Sequence, residues 1–111
     1  MRRRLALIAH DNKKVDLVAW AAFNRETLAR YTLVGTRHTA RLLERKIGLP
    51  VEELLSGPEG GDTQIAARVA MREVEAVFFF VDPLAAHLST ADLIIMAFAR
   101  LEELQSIDVI P

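Results

Sequence analysis

The chain has 111 residues, of which 51% are hydrophobic and 26% are charged, and its formal net charge is −1. This balance is typical of a single globular domain, here residues 1–111, and it implies no general attraction to nucleic acid. The lack of cysteine excludes disulfides and thiolate metal sites, and no apolar run is long enough for a signal sequence or a membrane helix. We therefore expect a cytoplasmic protein without nucleic-acid or membrane partners.

An uninterrupted apolar run at residues 5–9 is the first predicted element. Such a run is typical of a strand buried on both faces in a parallel sheet. Residues 14–30 are predicted to form the first helix. Its apolar stripe would consist of Val15, Val18, Ala19, Ala22, Phe23 and Leu28.

The rest of the chain continues the alternation of strands and helices. Further strands are predicted at residues 31–34, 76–81 and 107–110, and further helices at residues 40–47, 63–72 and 90–104. This alternation predicts an α/β fold with a three-layer, doubly wound, mainly parallel sheet.

Three of the predicted strands end in polar residues. His10 and Asp11 follow the first strand, residues 35–39 follow the second, and Asp82 and Pro83 follow the strand at 76–81. Ligands bind at the carboxyl ends of the strands in doubly wound sheets. The polar residues are therefore expected to meet at one edge of the sheet.

The stretch LSGPEGGDTQ at residues 55–64 lies at the centre of the predicted site. Pro58 cannot continue a helix, and Gly60 and Gly61 allow positive φ and a close approach of a ligand to the backbone. Asp62 stands where the next helix begins, and a helix N-terminus preceded by glycines is suited to bind an anion. The alternative is that Asp62 serves only as the N-cap of that helix.

Five segments together resemble the methylglyoxal synthase family. They are AHD at residues 9–11 with Lys14, the threonine-bearing turn at 36–39, LSGPEGGDTQ at 55–64, FFFVDPL at 78–84 and TAD at 90–92. They occur in the family's order, and at its spacing up to about Ala86. The two blocks LSGPEGGDTQ and FFVDPL are specific when they occur together, and the resemblance covers most of the chain.

The resemblance implies a doubly wound domain that converts dihydroxyacetone phosphate to methylglyoxal and inorganic phosphate, with phosphate acting as product or inhibitor. It also implies that no metal or organic cofactor is needed and that the chain assembles as a homohexamer. By position, Asp62 matches the catalytic carboxylate, and Asp11 and Asp82 match further carboxylates near the chemistry. The remaining candidates are substrate or phosphate contacts: His10, Lys14, Thr36, Arg37, His38, Thr39, Ser56, Gly57 and His87.

These residue types suit the reaction. A carboxylate must take a proton next to a ketone, and partial desolvation would raise its pKa toward the working pH. The enediolate oxygen needs a donor such as His10 or a backbone N–H, and the phosphate needs hydroxyls, N–H groups and a cation such as Lys14. Each residue also has a simpler explanation: a structural histidine, a solvated lysine, capping threonines at 36 and 39, or a turn opened by Asp82.

The chain departs from the family in two places. The family turn TGTTG is TRHTA here, so that Arg37 replaces a glycine; its guanidinium is able to bind phosphate, to fill the pocket or to reshape the turn. In addition, the family has a PHxxD loop, a helix and a strand before TAD, whereas residues 85–89 lead almost directly to it. One helix–strand unit near the C-terminus is therefore expected to be lacking, and His87 stands close to the position of the loop histidine.

Two functions remain open. The first is a shortened methylglyoxal synthase with Asp62 as the base, and the second is a phosphate- or metabolite-binding regulatory module of the same fold without turnover. A third interpretation is a degenerate fold that serves assembly only. The sheet surface exposed by the shortening would be covered by a partner subunit or by the tail helix, unless the fold is compromised.

Overall fold

The computed structural model describes residues 3–82 and the backbone of residues 107–110. It contains a five-stranded, entirely parallel sheet in the order β3-β2-β1-β4-β5. The strands are β1 (Arg4–Ala9), β2 (Thr32–Gly35), β3 (Val51–Glu53), β4 (Ala76–Phe80) and β5 (Ile107–Ile110). The helices are α1 (Lys14–Phe23), α2 (Arg25–Leu28), α3 (Arg37–Ile47) and α4 (Gly61–Ala70), and a 3₁₀ turn (Asp11–Lys13) precedes α1. The predicted doubly wound α/β class is confirmed.

The two faces of the sheet carry separate apolar cores. Ala6 and Ile8 of β1 pack with residues of α4, whereas Leu5 and Leu7 pack with residues of α1 and α3. Successive strand residues point to opposite faces, so a strand with helices on both sides must be apolar at every position. This explains the uninterrupted run at the start of the chain, which the structure buries from Leu5 to Ala9.

The strand order reverses direction between β1 and β4. From β1 the chain moves outward through β2 to β3, and it then returns to place β4 on the other side of β1. The carboxyl ends of the two strands adjoining this switch point are level, because Ala9 is in register with Phe80. Such a switch point leaves a crevice between the loops, which is where ligands bind in folds of this type.

The ends of three helices differ from the prediction. The first predicted helix is two helices, because α1 ends at Phe23 and Asn24 bonds back to the carbonyl of Trp20 through both its backbone N–H and its side chain. Helix α3 begins three residues earlier than predicted, with Thr36 as N-cap, and α4 begins at Gly61 rather than Thr63. Both early starts bring helix N-termini directly onto the candidate site.

The predicted apolar stripe of the first helix was only partly right. Leu28 is buried as predicted, but the buried residues of α1 are Leu17 and Ala21, whereas Val15 and Phe23 are 80% and 90% exposed. The sequence of α1 is apolar on almost every side, so periodicity alone does not indicate which face meets the sheet.

Strand β3 was not predicted, because it is short and two of its three residues are glutamates. The strand predicted at residues 107–110 is present and pairs with β4. The predicted helix at 90–104 and the expected loss of a helix–strand unit both fall on residues 83–106, outside the described part of the chain.

Candidate active site at the carboxyl edge of the sheet

A cavity of about 600 Å³ opens at the switch point. The loops after β1, β2, β3 and β4 all contribute to its walls. The lining residues are Ile8, Ala9, His10, Asp11, Asn12, Lys14, Thr36, His38, Ser56, Gly57, Pro58, Asp62 and Asp82. Nine of the twelve predicted site residues are among them, so the fold brings together groups that are spread over 73 positions of sequence.

His10 is held between the ends of β1 and β4. Its backbone N–H donates to the carbonyl of Phe80 at 3.0 Å, and its ring stands edge-on to the ring of Phe79, with a centroid separation of 5.5 Å. The backbone N–H of Asp82 donates to Nδ1 of His10 at 2.9 Å. Because Nδ1 accepts this bond, the neutral imidazole carries its proton on Nε2 and is a donor there.

The loop between β3 and α4 forms a compact turn before Asp62. The N–H groups of Glu59 and Gly61 both donate to the carbonyl of Ser56, at 3.1 and 2.8 Å, and the N–H of Gly60 donates to the carbonyl of Gly57 at 3.0 Å. Gly60 has a φ of +112°, which side chains rarely adopt. These bonds set the direction in which α4 leaves the loop.

Asp62 is not the N-cap of α4, which is Gly60. Asp62 lies in the first turn, where its half-buried side chain lines the cavity and where the helix dipole favours a negative charge. A Cβ atom built on Gly57 would lie 3.9 and 4.0 Å from the two carboxylate oxygens of Asp62. The glycine therefore leaves the approach to this carboxylate uncovered on the loop side.

Lys14 and Asp11 form an ion pair at the mouth of the cavity. Nζ of Lys14 lies 2.7 Å from Oδ1 of Asp11 and 3.4 Å from the carbonyl oxygen of Ala9. The hydrogen bond and charge of Lys14 lower the pKa of Asp11 below its usual value. An exposed carboxylate held ionised in this way is a weak base.

The predicted hydroxyl contacts differ in their surroundings. Thr36 lines the cavity and makes no side-chain capping bond, although it is the N-cap of α3. Thr39 does not line the cavity; it is fully buried, and its Oγ1 has no hydrogen-bond partner in the described chain. Ser56 lines the cavity, but its hydroxyl donates to Oε1 of Glu59 at 2.7 Å.

Arg37 is directed away from the cavity, toward two carboxylates. Its Nη1 donates to Oε1 of Glu59 at 2.7 Å, and its Nε lies 3.4 Å from Oε1 of Glu53. Arg37 therefore does not line the predicted phosphate site, whereas His38 does. His87 lies outside the described residues.

Glu59 bonds to two of the predicted site residues but was not itself predicted from the sequence. It lies within the LSGPEGGDTQ stretch but carries no signal of its own, because its partner Arg37 is 22 positions away. Unlike Glu59, Asn12 and Pro58 line the cavity itself, and they were not predicted either.

In the part of the chain that the structure describes, no group of three or more His, Asp or Glu side chains is arranged to hold a metal ion. No helix among residues 3–82 is long and apolar enough to cross a membrane.

A family model, described as the MGS-like domain, matches residues 16–107. The chain belongs to the methylglyoxal synthase family.

Individual members of the methylglyoxal synthase family align over most of the chain. It is 41% identical over 107 residues to a methylglyoxal synthase of Clostridium botulinum, covering 96% of this chain and 88% of the relative. It is 46% identical over 91 residues to that of Leptospira interrogans, covering 82% of this chain and 62% of the relative's length. The alignment thus spans less than two thirds of the Leptospira protein.

A crystal structure of a methylglyoxal synthase from Elizabethkingia anophelis NUHP1 has the same fold. Its TM-score is 0.81 at 35% identity, and the match covers 99% of this chain and 72% of the other. The methylglyoxal synthase fold is therefore retained in a chain shorter than that enzyme.

Proposed function

We propose that the protein converts dihydroxyacetone phosphate to methylglyoxal and inorganic phosphate, with Asp62 as the general base. The observation that carries the proposal is that Asp62 shares one cavity with an oriented His10, whose Nε2–H is a donor. The names of the relatives support the same reaction class. A base and a donor for the neighbouring oxygen are the two groups that enolisation of a ketone requires.

The first step removes a proton from the hydroxymethyl carbon of the substrate. Asp62 takes this proton, and the electron pair forms a carbon–carbon double bond while the ketone oxygen gains negative charge. His10 donates a hydrogen bond from Nε2 to that oxygen. A preorganised donor lowers the barrier because it is already directed to the place where charge develops.

The second step expels phosphate. The proton of the neighbouring hydroxyl group passes to the oxygen of the former ketone, and the oxyanion left behind re-forms a carbonyl at the former hydroxymethyl carbon. The double bond moves to the adjacent carbon pair, and the carbon–oxygen bond to phosphate breaks, with phosphate leaving with the electron pair. The product is the enol of methylglyoxal, which becomes the ketone by taking up a proton on its terminal carbon and releasing the proton of its enol hydroxyl. No oxidant or reductant is consumed, so the chain's own acid, base and hydrogen-bonding groups suffice.

The phosphate half of the substrate would bind to cationic and hydroxyl groups of the same cavity. Lys14 supplies the charge, Thr36 supplies a hydroxyl, and α3 and α4 both begin at this edge of the sheet. Backbone N–H groups at helix starts favour anions. The leaving phosphate is thereby stabilised as its charge grows.

The test is the rate of methylglyoxal formation by the wild type and by Asp62→Asn. Asparagine keeps the size of the side chain but cannot take the proton, so we expect turnover to fall at least about a thousandfold. Binding of inorganic phosphate, measured by calorimetry, should persist. Asp16→Asn is the matched control, because it removes a carboxylate that pairs with Lys13 on the surface of α1. Full activity of Asp62→Asn would remove this residue from the mechanism.

A second candidate is a phosphate- or metabolite-binding module without turnover. The observation that favours it is that the hydroxyl of Ser56 donates to Glu59. This hydroxyl, which was predicted to donate to phosphate, therefore already bonds to a carboxylate. Wild-type protein that binds phosphate but forms no methylglyoxal would support this function. The homohexamer also stays a prediction, which light scattering of the purified protein would check.

A further inference from the structure

An arginine at the start of α3 ties three segments of the site's outer wall together. Arg37 reaches Glu59 in the loop after β3 and Glu53 in β3 itself. Its backbone N–H also points to the carbonyl of Leu55 at 3.4 Å. Its side chain is 32% exposed, so it lies along the protein surface rather than extending into solvent.

A second hydrogen bond connects Glu59 to the wall of the cavity. The same oxygen, Oε1 of Glu59, accepts from Nη1 of Arg37 and from the hydroxyl of Ser56, both at 2.7 Å. Ser56 and the adjacent Gly57 line the cavity. A chain of three side chains therefore runs from the outer surface of α3 to the wall that faces Asp62.

We propose that Arg37 and Glu59 are positioning residues that hold Ser56 and Gly57 in place beside Asp62. Neither lines the cavity, so each acts through the Ser56 hydroxyl and the turn at residues 56–60. The effect of Arg37 and Glu59 on the turn follows from these contacts alone. Their effect on substrate binding rests on the proposed function.

The pair should influence the loop locally rather than the fold as a whole. Exposed ion pairs contribute little to global stability, since both partners are well solvated when separated. The turn that Glu59 anchors is held otherwise by three backbone hydrogen bonds, two of which end on the Ser56 carbonyl. Loss of the anchor is therefore expected to increase the opening of this turn while the cores on the two sheet faces stay intact.

Arg41 provides a matched control. It lies one turn further along α3 and bonds to the two carboxylate oxygens of Glu53, at 3.0 and 3.2 Å. Among the described residues its ion pair is with Glu53 and not with Glu59. Arg41→Ala thus removes the same charge from the same helix without breaking the contact with the turn.

The first experiment measures amide hydrogen exchange at Glu59, Gly60 and Gly61 in the wild type, Arg37→Ala, Glu59→Ala and Arg41→Ala. We expect about tenfold faster exchange in the first two variants and no change in Arg41→Ala. The double variant Arg37→Ala/Glu59→Ala should exchange no faster than Glu59→Ala, because that single variant already removes the contact of the turn with Arg37 as well as the bond from Ser56. Unchanged exchange in Arg37→Ala, or equal acceleration in Arg41→Ala, would overturn the inference.

The second experiment measures the kinetics of methylglyoxal formation. We expect KM for dihydroxyacetone phosphate to rise about tenfold in Arg37→Ala and Glu59→Ala, with kcat within about twofold of the wild type. Arg37→Lys should recover part of the loss, because it keeps the charge but not the planar guanidinium. A fall in kcat at unchanged KM would contradict the positioning role. A wild type without turnover would refute the proposed function alone, and hydrogen exchange would still decide the inference.

Discussion

Replacing Gly61 by alanine is expected to destabilise the protein far more than the same change at Gly60 or Gly57. A Cβ atom on Gly61 would lie 2.0 Å from the carbonyl oxygen of Leu55 and 2.8 Å from Cγ2 of Thr36. The backbone would have to move by about 1 Å to relieve the contact between this Cβ atom and the Leu55 oxygen. Overpacking of this kind lowers the free energy of unfolding by about 1–3 kcal/mol or more.

The Leu55 segment cannot move freely to accommodate the new methyl group. Its N–H donates to the side chain of Gln64 at 2.8 Å, and its carbonyl accepts from the backbone of Arg37. We therefore expect a loss of about 3 kcal/mol or more, a large share of the roughly 5–15 kcal/mol that stabilises a small domain. The melting temperature should fall by about 12 °C or more.

Gly60 and Gly57 are matched comparisons within the same loop. Gly60 has open space around it but a φ of +112°, so alanine is expected to cost about 1–2 kcal/mol through backbone strain. Gly57 has neither a clash nor a positive φ, and alanine there should change stability by less than about 0.5 kcal/mol. The predicted order of destabilisation is thus Gly61, Gly60, Gly57.

The assay is urea unfolding followed by the fluorescence of Trp20 and by circular dichroism. Trp20 is the single tryptophan, and its ring lies 4.8 Å from that of Phe78 and 5.5 Å from that of Phe80, so it reports on core packing. Measurements at several protein concentrations would separate folding from assembly. A Gly61→Ala variant within about 1 kcal/mol of the wild type, or one less affected than Gly57→Ala, would refute the reasoning.

Two further predictions concern charged groups. Lys14→Ala should raise KM for dihydroxyacetone phosphate about tenfold or more, because it removes a charge-assisted phosphate contact. Lys13→Ala is the control and should leave KM unchanged, because Lys13 pairs with Asp16 in the wild type. An unchanged KM in Lys14→Ala would place Lys14 on the solvated surface. The Ser56 hydroxyl, followed by Arg37, lowers the pKa of Glu59 below 4.5. The unfolded chain then binds more protons, so this stabilisation is complete above about pH 4.5 and is lost as pH falls through the lowered pKa. Glu59→Gln should accordingly reduce the loss of amide protection at Gly60 and Gly61 as pH falls from about 6 to about 3; an unchanged pH dependence of protection in Glu59→Gln would contradict this.

Much of the fold could be predicted because its signals are local. An apolar run buried on two faces and the alternation of strands with helices are both encoded in neighbouring residues. The carboxyl-edge placement of the site follows from that alternation alone, since parallel strands end on the same side. The resemblance to the methylglyoxal synthase family then predicted roles for individual residues.

The predictions that failed concern features that depend on partners far away in sequence. The buried face of α1 could not be chosen, because its residues are apolar on almost every side and only the sheet decides between them. Strand β3 was missed because pairing with β2, and not its own composition, makes it a strand.

The sequence by itself determined the class of fold, the edge where ligands would bind and the residue types available there. Only the tertiary structure decided how those residues are used. The backbone of Asp82 sets the tautomer of His10 across 72 positions, and Glu59 joins Arg37 to Ser56 across 22. Hydrogen bonds and ion pairs form between groups that the folded sheet brings together. The residues next to each group in sequence do not indicate which distant residue will be its partner.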